Sequence, residues 1–354
     1  MKWLQNLLCR WFFPWDKQSH GHNERHIDSE SESESQSRMQ AKESVDTDIL
    51  YVVLPYFNFC GFVRRRELFV QFVNRISKQQ NIKIVVVEAI HDSTPTPNES
   101  QLPKLDGVYI HIRIPVPAQL WVKESLINLA VQKLPFDWKY MAWVDADITF
   151  LQEDWVQRTI NALDQDDVVQ MFQTCVNMGP SEEAMKIDRS FAFMHRESGH
   201  PFHRTDKYGH WHPGFAWACT HKAYLQMDGL LDIGILGSGD RHMALALIGH
   251  ADWSAPGNIH PNYVQRLTEF QQRTQSQGLT LGYVPGTILH HWHGRLQDRK
   301  YRERWDILTQ LKYDPDKDVK YTVHRTLTFT EDGERLREPI KEYFVGRKED
   351  NTDV

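Results

Sequence analysis

The 354-residue sequence is poor in cysteine, has no surplus of cations and contains no long apolar run. Its four cysteines, Cys9, Cys60, Cys175 and Cys219, are scattered. They form neither a C-x-x-C pair nor the dense spacing of a small disulfide scaffold, so they read as reduced thiols. Lys and Arg number 41 against 47 Asp and Glu, a formal charge of −6, which excludes a surface built overall for nucleic acid or an anionic membrane. No stretch approaches the roughly 18 apolar residues that suggest a membrane span. Met1 to Trp15 lacks the apolar core and small-residue cleavage site of a secretory signal, and the expected location is cytoplasmic. What the sequence does have is a globular hydrophobic share, 40%, and 12 Trp, too many for a disordered or collagen-like chain.

Residues 1–15 place Trp3, Leu4, Leu7, Leu8 and Trp11 along one helical face, with Lys2 and Arg10 as cations. Such an arm either packs on its own domain or a partner chain, or associates peripherally with a membrane interface. Residues 16–47, with a Ser/Glu alternation from Ser29 to Ser35, bury too little to fold and read as a disordered tether. A domain is expected over 48–318. Ile49 to Leu54 reads as a buried strand, Leu68, Phe69, Phe72, Val73 and Ile76 recur at helical spacing, and Ile82 to Val87 forms a second strand. A short strand around Val108 to Ile112, a helix face from Trp121 to Ala130 and a strand from Met141 to Val144 follow. Helical patterns return at Asp240 to Ile248, Tyr263 to Gln272 and Gln297 to Leu311, before a C-terminal extension, 319–354, with a Tyr321 to Phe329 strand and a short helix to Phe344. Alternating strands and helices predict an α/β fold with a mainly parallel sheet, whose ligands bind beyond the carboxyl ends of the strands.

Three groups of residues carry chemistry. Asp145-Ala146-Asp147 follows directly on a buried strand, where two carboxylates can hold a hard cation such as Mg²⁺ or Mn²⁺ and leave positions for a diphosphate. His290, His291 and His293 lie within four positions, and imidazole is a good ligand for Mn²⁺ or Zn²⁺. On a strand His291 and His293 share one face and His290 the other; the face of His291 and His293 is the expected one, with Gly294 turning the chain and Arg295 reaching a phosphate oxygen. The third group runs from His212-Pro213-Gly214-Phe215 to Gly237-Ser238-Gly239-Asp240, where Asp240 opens a helix and suits either a helix cap or a general base.

The segment ILYVVLPYFN, Ile49 to Asn58, resembles the opening strand and turn of family 2 glycosyltransferases, enzymes of GT-A fold that use nucleotide sugars. The stretch from Lys123 to Asn128 is similar to a segment of the polypeptide N-acetylgalactosaminyltransferases, and LHHWHG resembles the late histidine that closes the metal site in several of these enzymes. Only Asp240 of a Gly-Gly-Glu-Asp acceptor motif carries over. The resemblance covers roughly residues 48–312 and implies a GT-A domain. It further implies nucleotide-sugar contacts at Pro55, Phe57, Asn58, Glu88, Lys123, Asn128, Asp145 and Arg295, and a metal at Asp145 and Asp147 completed by His290, His291 or His293. Asp240 becomes the base that takes a proton from the acceptor hydroxyl. The expected donor is a UDP-sugar with Mn²⁺ or Mg²⁺, the acceptor a glycan, lipid or protein, and the class hexosyl- or N-acetylhexosaminyltransferase. Trp211, Trp217 and Trp292 are candidate sugar-stacking faces. The alternatives are a phosphoester hydrolase or nucleotidyltransferase using the same residues, and a catalytically idle sugar-binding protein.

Overall fold

Apolar runs too uniform to alternate between core and solvent become the central strands. The computed structural model describes residues 48–91, 99–198, 202, 211–276 and 278–353; the arm at 1–15 and the tether at 16–47 lie outside them. The strands of the main sheet are β1 (Leu50–Tyr56), β2 (Ile82–Ile90), β3 (Val108–Pro115), β4 (Tyr140–Val144), β6 (Val168–Gln170), β9 (Ala216–Thr220) and β10 (Leu281–Tyr283). A smaller sheet contains β5 (Ile148–Phe150), β7 (Thr174–Met178), β8 (Ala184–Arg189) and β11 (Thr287–His290). The main sheet has the order β3-β2-β1-β4-β9-β6-β10. All its pairings are parallel except the two made by β9, so the expected mainly parallel α/β sheet is the fold observed.

Both faces of this sheet are covered. Along β1, Tyr51 and Val53 point into one apolar cluster and Leu50, Val52, Leu54 and Tyr56 into the other, as a period of two requires. Helices Lys123–Val131 and Pro261–Gln275 pack on the first side, Val63–Ile76 and Trp155–Leu163 on the second. No helix among the described residues is long and apolar enough to cross a membrane.

Several expected elements differ in detail. The expected Tyr321 to Phe329 strand is a hairpin of β12 (Val319–Tyr321) and β13 (Leu327–Phe329). The helix expected over Gln297 to Leu311 is broken into a 3-10 turn, Leu296–Arg299, and a helix, Arg304–Gln310, because Lys300 takes a left-handed conformation with φ of 46°. The segment after 319 is part of the same compact unit: Ile340, Tyr343 and Phe344 of helix Arg337–Gly346 are buried in the first cluster, with the Phe344 ring 5.5 Å from Phe59.

The helix Gly239–Leu247 is fixed from below by His242, which is fully buried. Ser254 donates its hydroxyl to the Ala251 carbonyl, so it accepts from His242 Nδ1 at 2.6 Å, and His242 Nε2 in turn accepts from the Tyr263 hydroxyl at 2.8 Å. Burial pushes the His242 pKa down to about 3. The unfolded chain binds this proton near pH 6.5, so the histidine's contribution is intact above that pH and is lost as pH falls towards 3, by about 2 kcal/mol at pH 5. Urea unfolding at pH 7 and pH 5 checks this: His242→Gln should lower stability at pH 7 and shrink the loss between the two pH values.

Candidate metal and active site

The end of β4 and the start of β5 bracket the turn that carries Asp145 and Asp147. β5 runs antiparallel to β11 with Ile148 opposite His290, and the His291 amide donates to the Asp147 carbonyl at 2.8 Å. β11 also runs parallel to β7, which sets Asn177 beside His290. The late histidines and the acidic turn thus meet over a cleft of about 250 Å³ at the carboxyl ends of β1 and β4.

Asp147, His290 and His293 form a group whose candidate ligand atoms all lie within 4.8 Å of one another. His293 Nε2 is 2.8 Å from Asp147 Oδ2 and 3.3 Å from His290 Nε2. His290 Nδ1 donates to the Asn177 amide oxygen at 2.9 Å, which leaves its Nε2 lone pair facing the group. Burial holds His290 well below the ordinary histidine range, so it is neutral there. Burial would raise the Asp147 pKa, but His293, His290 and Arg299 together hold it well below the carboxylate range. Its Oδ1 is buried without a hydrogen-bond partner. Two imidazoles and a carboxylate with an orphaned oxygen, their facing atoms 2.8–3.9 Å apart, suit a divalent cation.

Beside this group Lys123 Nζ lies 2.7 Å from Asp145 Oδ1 and 2.9 Å from Asp240 Oδ2. Burial alone would lower the Lys123 pKa, but Asp145, Asp240 and Glu124 raise it above the ordinary lysine value. Asp145 is pushed up to about 6, by burial first and then by the neighbouring Asp240 and Asp147 carboxylates. Asp240 stands in the first turn of helix Gly239–Leu247; the cap position is Ser238, in a left-handed conformation with φ of 86°. Arg304 pins that strained loop by donating to the Leu236 carbonyl at 2.8 Å and to Ser238 Oγ at 2.6 Å.

Other residues singled out in the sequence fall elsewhere. Asp145 lies outside the Asp147–His290–His293 group, paired with Lys123 instead. His291 is turned away, its Nε2 2.7 Å from Thr149 Oγ1. The expected face alternation fails because β11 ends at His290 and the chain then turns, so His290 and His293, three apart, converge. Pro55 and Phe57 line the cleft, whereas Asn58 closes its own turn, accepting from the Phe62 amide and donating to the Phe62 carbonyl, both at 2.9 Å. Glu88 is fully buried within β2 and accepts from Ser100 Oγ at 2.6 Å and the Gln101 amide at 2.7 Å, with His111 Nε2 at 2.9 Å. Arg295 pairs with Asp298 at 3.1 Å. Trp211 and Trp217 are core residues, and the Trp292 indole donates to the Asn351 carbonyl at 2.7 Å; the tryptophan that lines the cleft is Trp121.

Sequence reading missed Arg299. It is buried in the cleft with its Nη2 2.6 Å from His293 Nε2, donates to the Tyr301 hydroxyl at 3.2 Å, and its Nε is buried without a hydrogen-bond partner. The run of five cations between Arg295 and Arg304 was the available signal. It missed Glu349 too, two of whose partners, Arg65 and His293, lie far away in the chain.

No protein-family model matches the sequence, and no curated protein matches it. Solved structures do resemble the fold. A mutant Drosophila β1,4-galactosyltransferase 7 in complex with manganese, UDP-Gal and xylobiose is 13% identical with a TM-score of 0.35, over 80% of this chain and 94% of that one. S. aureus TarS in complex with UDP is 10% identical with a TM-score of 0.33, over 56% and 54%. The 4-diphosphocytidyl-2C-methyl-D-erythritol synthase of Anaerococcus prevotii is 13% identical with a TM-score of 0.29, over 68% and 88%. At such identities and TM-scores, what the cleft does has to be read from its own residues.

Asn128 marks the boundary between site and scaffold. Its Oδ1 accepts from the Leu230 amide at 2.8 Å and the Tyr224 hydroxyl at 3.1 Å, and its Nδ2 donates to the Leu230 carbonyl at 2.8 Å. Asn128→Ala should therefore cost about 2 kcal/mol of stability in urea unfolding, with Mn²⁺ affinity measured by calorimetry unchanged.

Proposed function

We propose that the chain is a metal-dependent glycosyltransferase that moves a hexosyl or N-acetylhexosaminyl group from a nucleotide sugar, with a UDP-sugar as the donor, to an acceptor hydroxyl. The observation that carries this reading is the convergence of Asp147, His290 and His293 beside a second carboxylate, Asp240, in one cleft at the strand ends. Asp147, His290 and His293 would hold the cation, and a divalent cation there neutralises charge on a departing nucleoside diphosphate. Arg299, with its unpartnered Nε, is placed to donate to the same phosphates. Asp240 accepts the proton of the acceptor hydroxyl as its oxygen bonds to the anomeric carbon, and the carbon–phosphate-oxygen bond breaks with its electron pair leaving on the diphosphate. Lys123 fixes the Asp240 carboxylate in orientation through its 2.9 Å contact.

Incubation with Mn²⁺, a panel of UDP-sugars and candidate acceptors should release UDP in an acceptor-dependent way. Release of pyrophosphate from a nucleoside triphosphate instead would favour a nucleotidyltransferase, and hydrolysis of simple phosphoesters a hydrolase.

Two substitution series test the residue roles. In calorimetric titrations, Asp147→Ala, His290→Ala and His293→Ala should each weaken Mn²⁺ binding at least about tenfold, whereas His291→Ala should bind as the parent does; the reverse pattern would place the metal elsewhere. Asp240→Asn should keep Mn²⁺ and UDP affinity but lower transfer on the order of 10²–10⁴-fold; full turnover would remove it as the base.

A further inference from the structure

His212 lines the cleft but belongs neither to the metal group nor to the Lys123 pairs. Its backbone is held on both sides: the His212 amide donates to the Arg189 carbonyl at 2.8 Å, and the His212 carbonyl accepts from the Phe191 amide at 3.1 Å and from Gln170 Nε2 at 2.9 Å. The imidazole lies flat on the Phe215 ring, with centroids 3.9 Å apart and 10° between the planes, and Phe215 packs in turn on His290 at 4.7 Å. Towards Asp240 the wall is cut back to a glycine. A Cβ on Gly214 would lie 3.0 Å from His212 Cε1 and 3.4 Å from Asp240 Oδ2, so the missing side chain leaves open a space that both groups border.

The Gly214 amide donates to His212 Nδ1 at 3.1 Å. A backbone amide only donates, so Nδ1 offers its lone pair and the ring is neutral with its hydrogen on Nε2. That N–H has no hydrogen-bond partner among the described residues, while the ring itself is fixed by Phe215 and the Gly214 amide. Asp188 lines the same cleft, buried, its Oδ2 accepting from Asn177 Nδ2 at 2.8 Å and its Oδ1 paired with Lys186 Nζ at 2.7 Å. A fixed neutral donor in a cleft walled by carboxylates suits a hydroxyl, which accepts from one group and donates to another. The sugar of a nucleotide sugar has to come to this place, because its anomeric carbon joins the diphosphate at the cation to the hydroxyl that attacks from Asp240.

We infer that His212 is a specificity-determining residue for the donor: its Nε2–H donates to one hydroxyl of the sugar being transferred, seated over Gly214 between the cation group and Asp240. This rests on the glycosyltransferase reading given above, and UDP alone separates the two. Calorimetric titration of the full chain with Mn²⁺ compares UDP with UDP-glucose, UDP-galactose and their N-acetylhexosamine counterparts, and then the tightest of these with its monodeoxy analogues. In the parent protein the sugar should add affinity to UDP, and the one analogue lacking the hydroxyl that His212 meets should bind about tenfold more weakly than the complete donor. His212→Asn keeps an acceptor for the Gly214 amide but has no donor where Nε2 stood. It should melt cooperatively and bind UDP as the parent does, bind the complete donor about tenfold more weakly, and show no further loss with that analogue. A parent protein that takes every deoxy analogue as tightly as the complete donor overturns the inference without recourse to any variant. So does a His212→Asn protein that binds the complete donor as the parent does, or that still discriminates against the same analogue. If UDP binds but no sugar adds affinity, the sugar contact is refuted and the donor reading survives; if UDP itself does not bind, both fall.

Discussion

The antiparallel pairing of β5 with β11 is the constraint on which the cleft depends. It joins the acidic turn to the late histidines through main-chain hydrogen bonds, and the parallel pairing of β11 with β7 adds Asn177 to the same group. Because side chains on a strand alternate, a slip of one residue would present Leu289 to Asp147 and turn His290 outward. The register is held by the burial of Ile288, which has no exposed surface, and by the His291 amide on the Asp147 carbonyl. The convergence of Asp147 and His290 is thus a property of sheet register before it is a property of side-chain chemistry.

Charge is arranged around this group in two different ways. Asp145 and Asp240 share one buried lysine, a fixed arrangement whose desolvation cost is offset by two short contacts. Asp147 faces imidazoles, which exchange a proton or a cation far more readily than lysine does. Below them burial, opposed by the Lys123 charge, pushes the Glu124 pKa up to about 8. Its carboxyl lies where a Cβ on Gly239 would stand, which is why the residue before Asp240 has no side chain.

Much of the fold was legible because its signals are local. The uniform apolar runs of β1 and β2 and the 3.6-residue spacing of Leu68, Phe69, Phe72, Val73 and Ile76 each reflect burial within a single element. The strand-end position of Asp145 and Asp147 and the helix-start position of Asp240 were legible for the same reason. Which histidine faces inward was not, since that depends on where β11 stops, and its end is set by a turn rather than by hydrophobic pattern. Asn58, Glu88 and Asn128 stand at positions that suit ligand contact, yet their polar atoms close turns and join strands. Nothing in the neighbouring sequence reveals that Ser100, Gln101 and His111 converge on Glu88.

The ion pair between Arg65 and Glu349 spans 284 residues of chain. Contacts of such separation form late, because ordering the intervening loop must come first. A growing polypeptide made from its amino end can assemble the central strands, and even the acidic turn, well before residue 349 exists. The side of the cleft formed by Arg65 and Arg347 is therefore braced only after nearly all of the described fold has been synthesised.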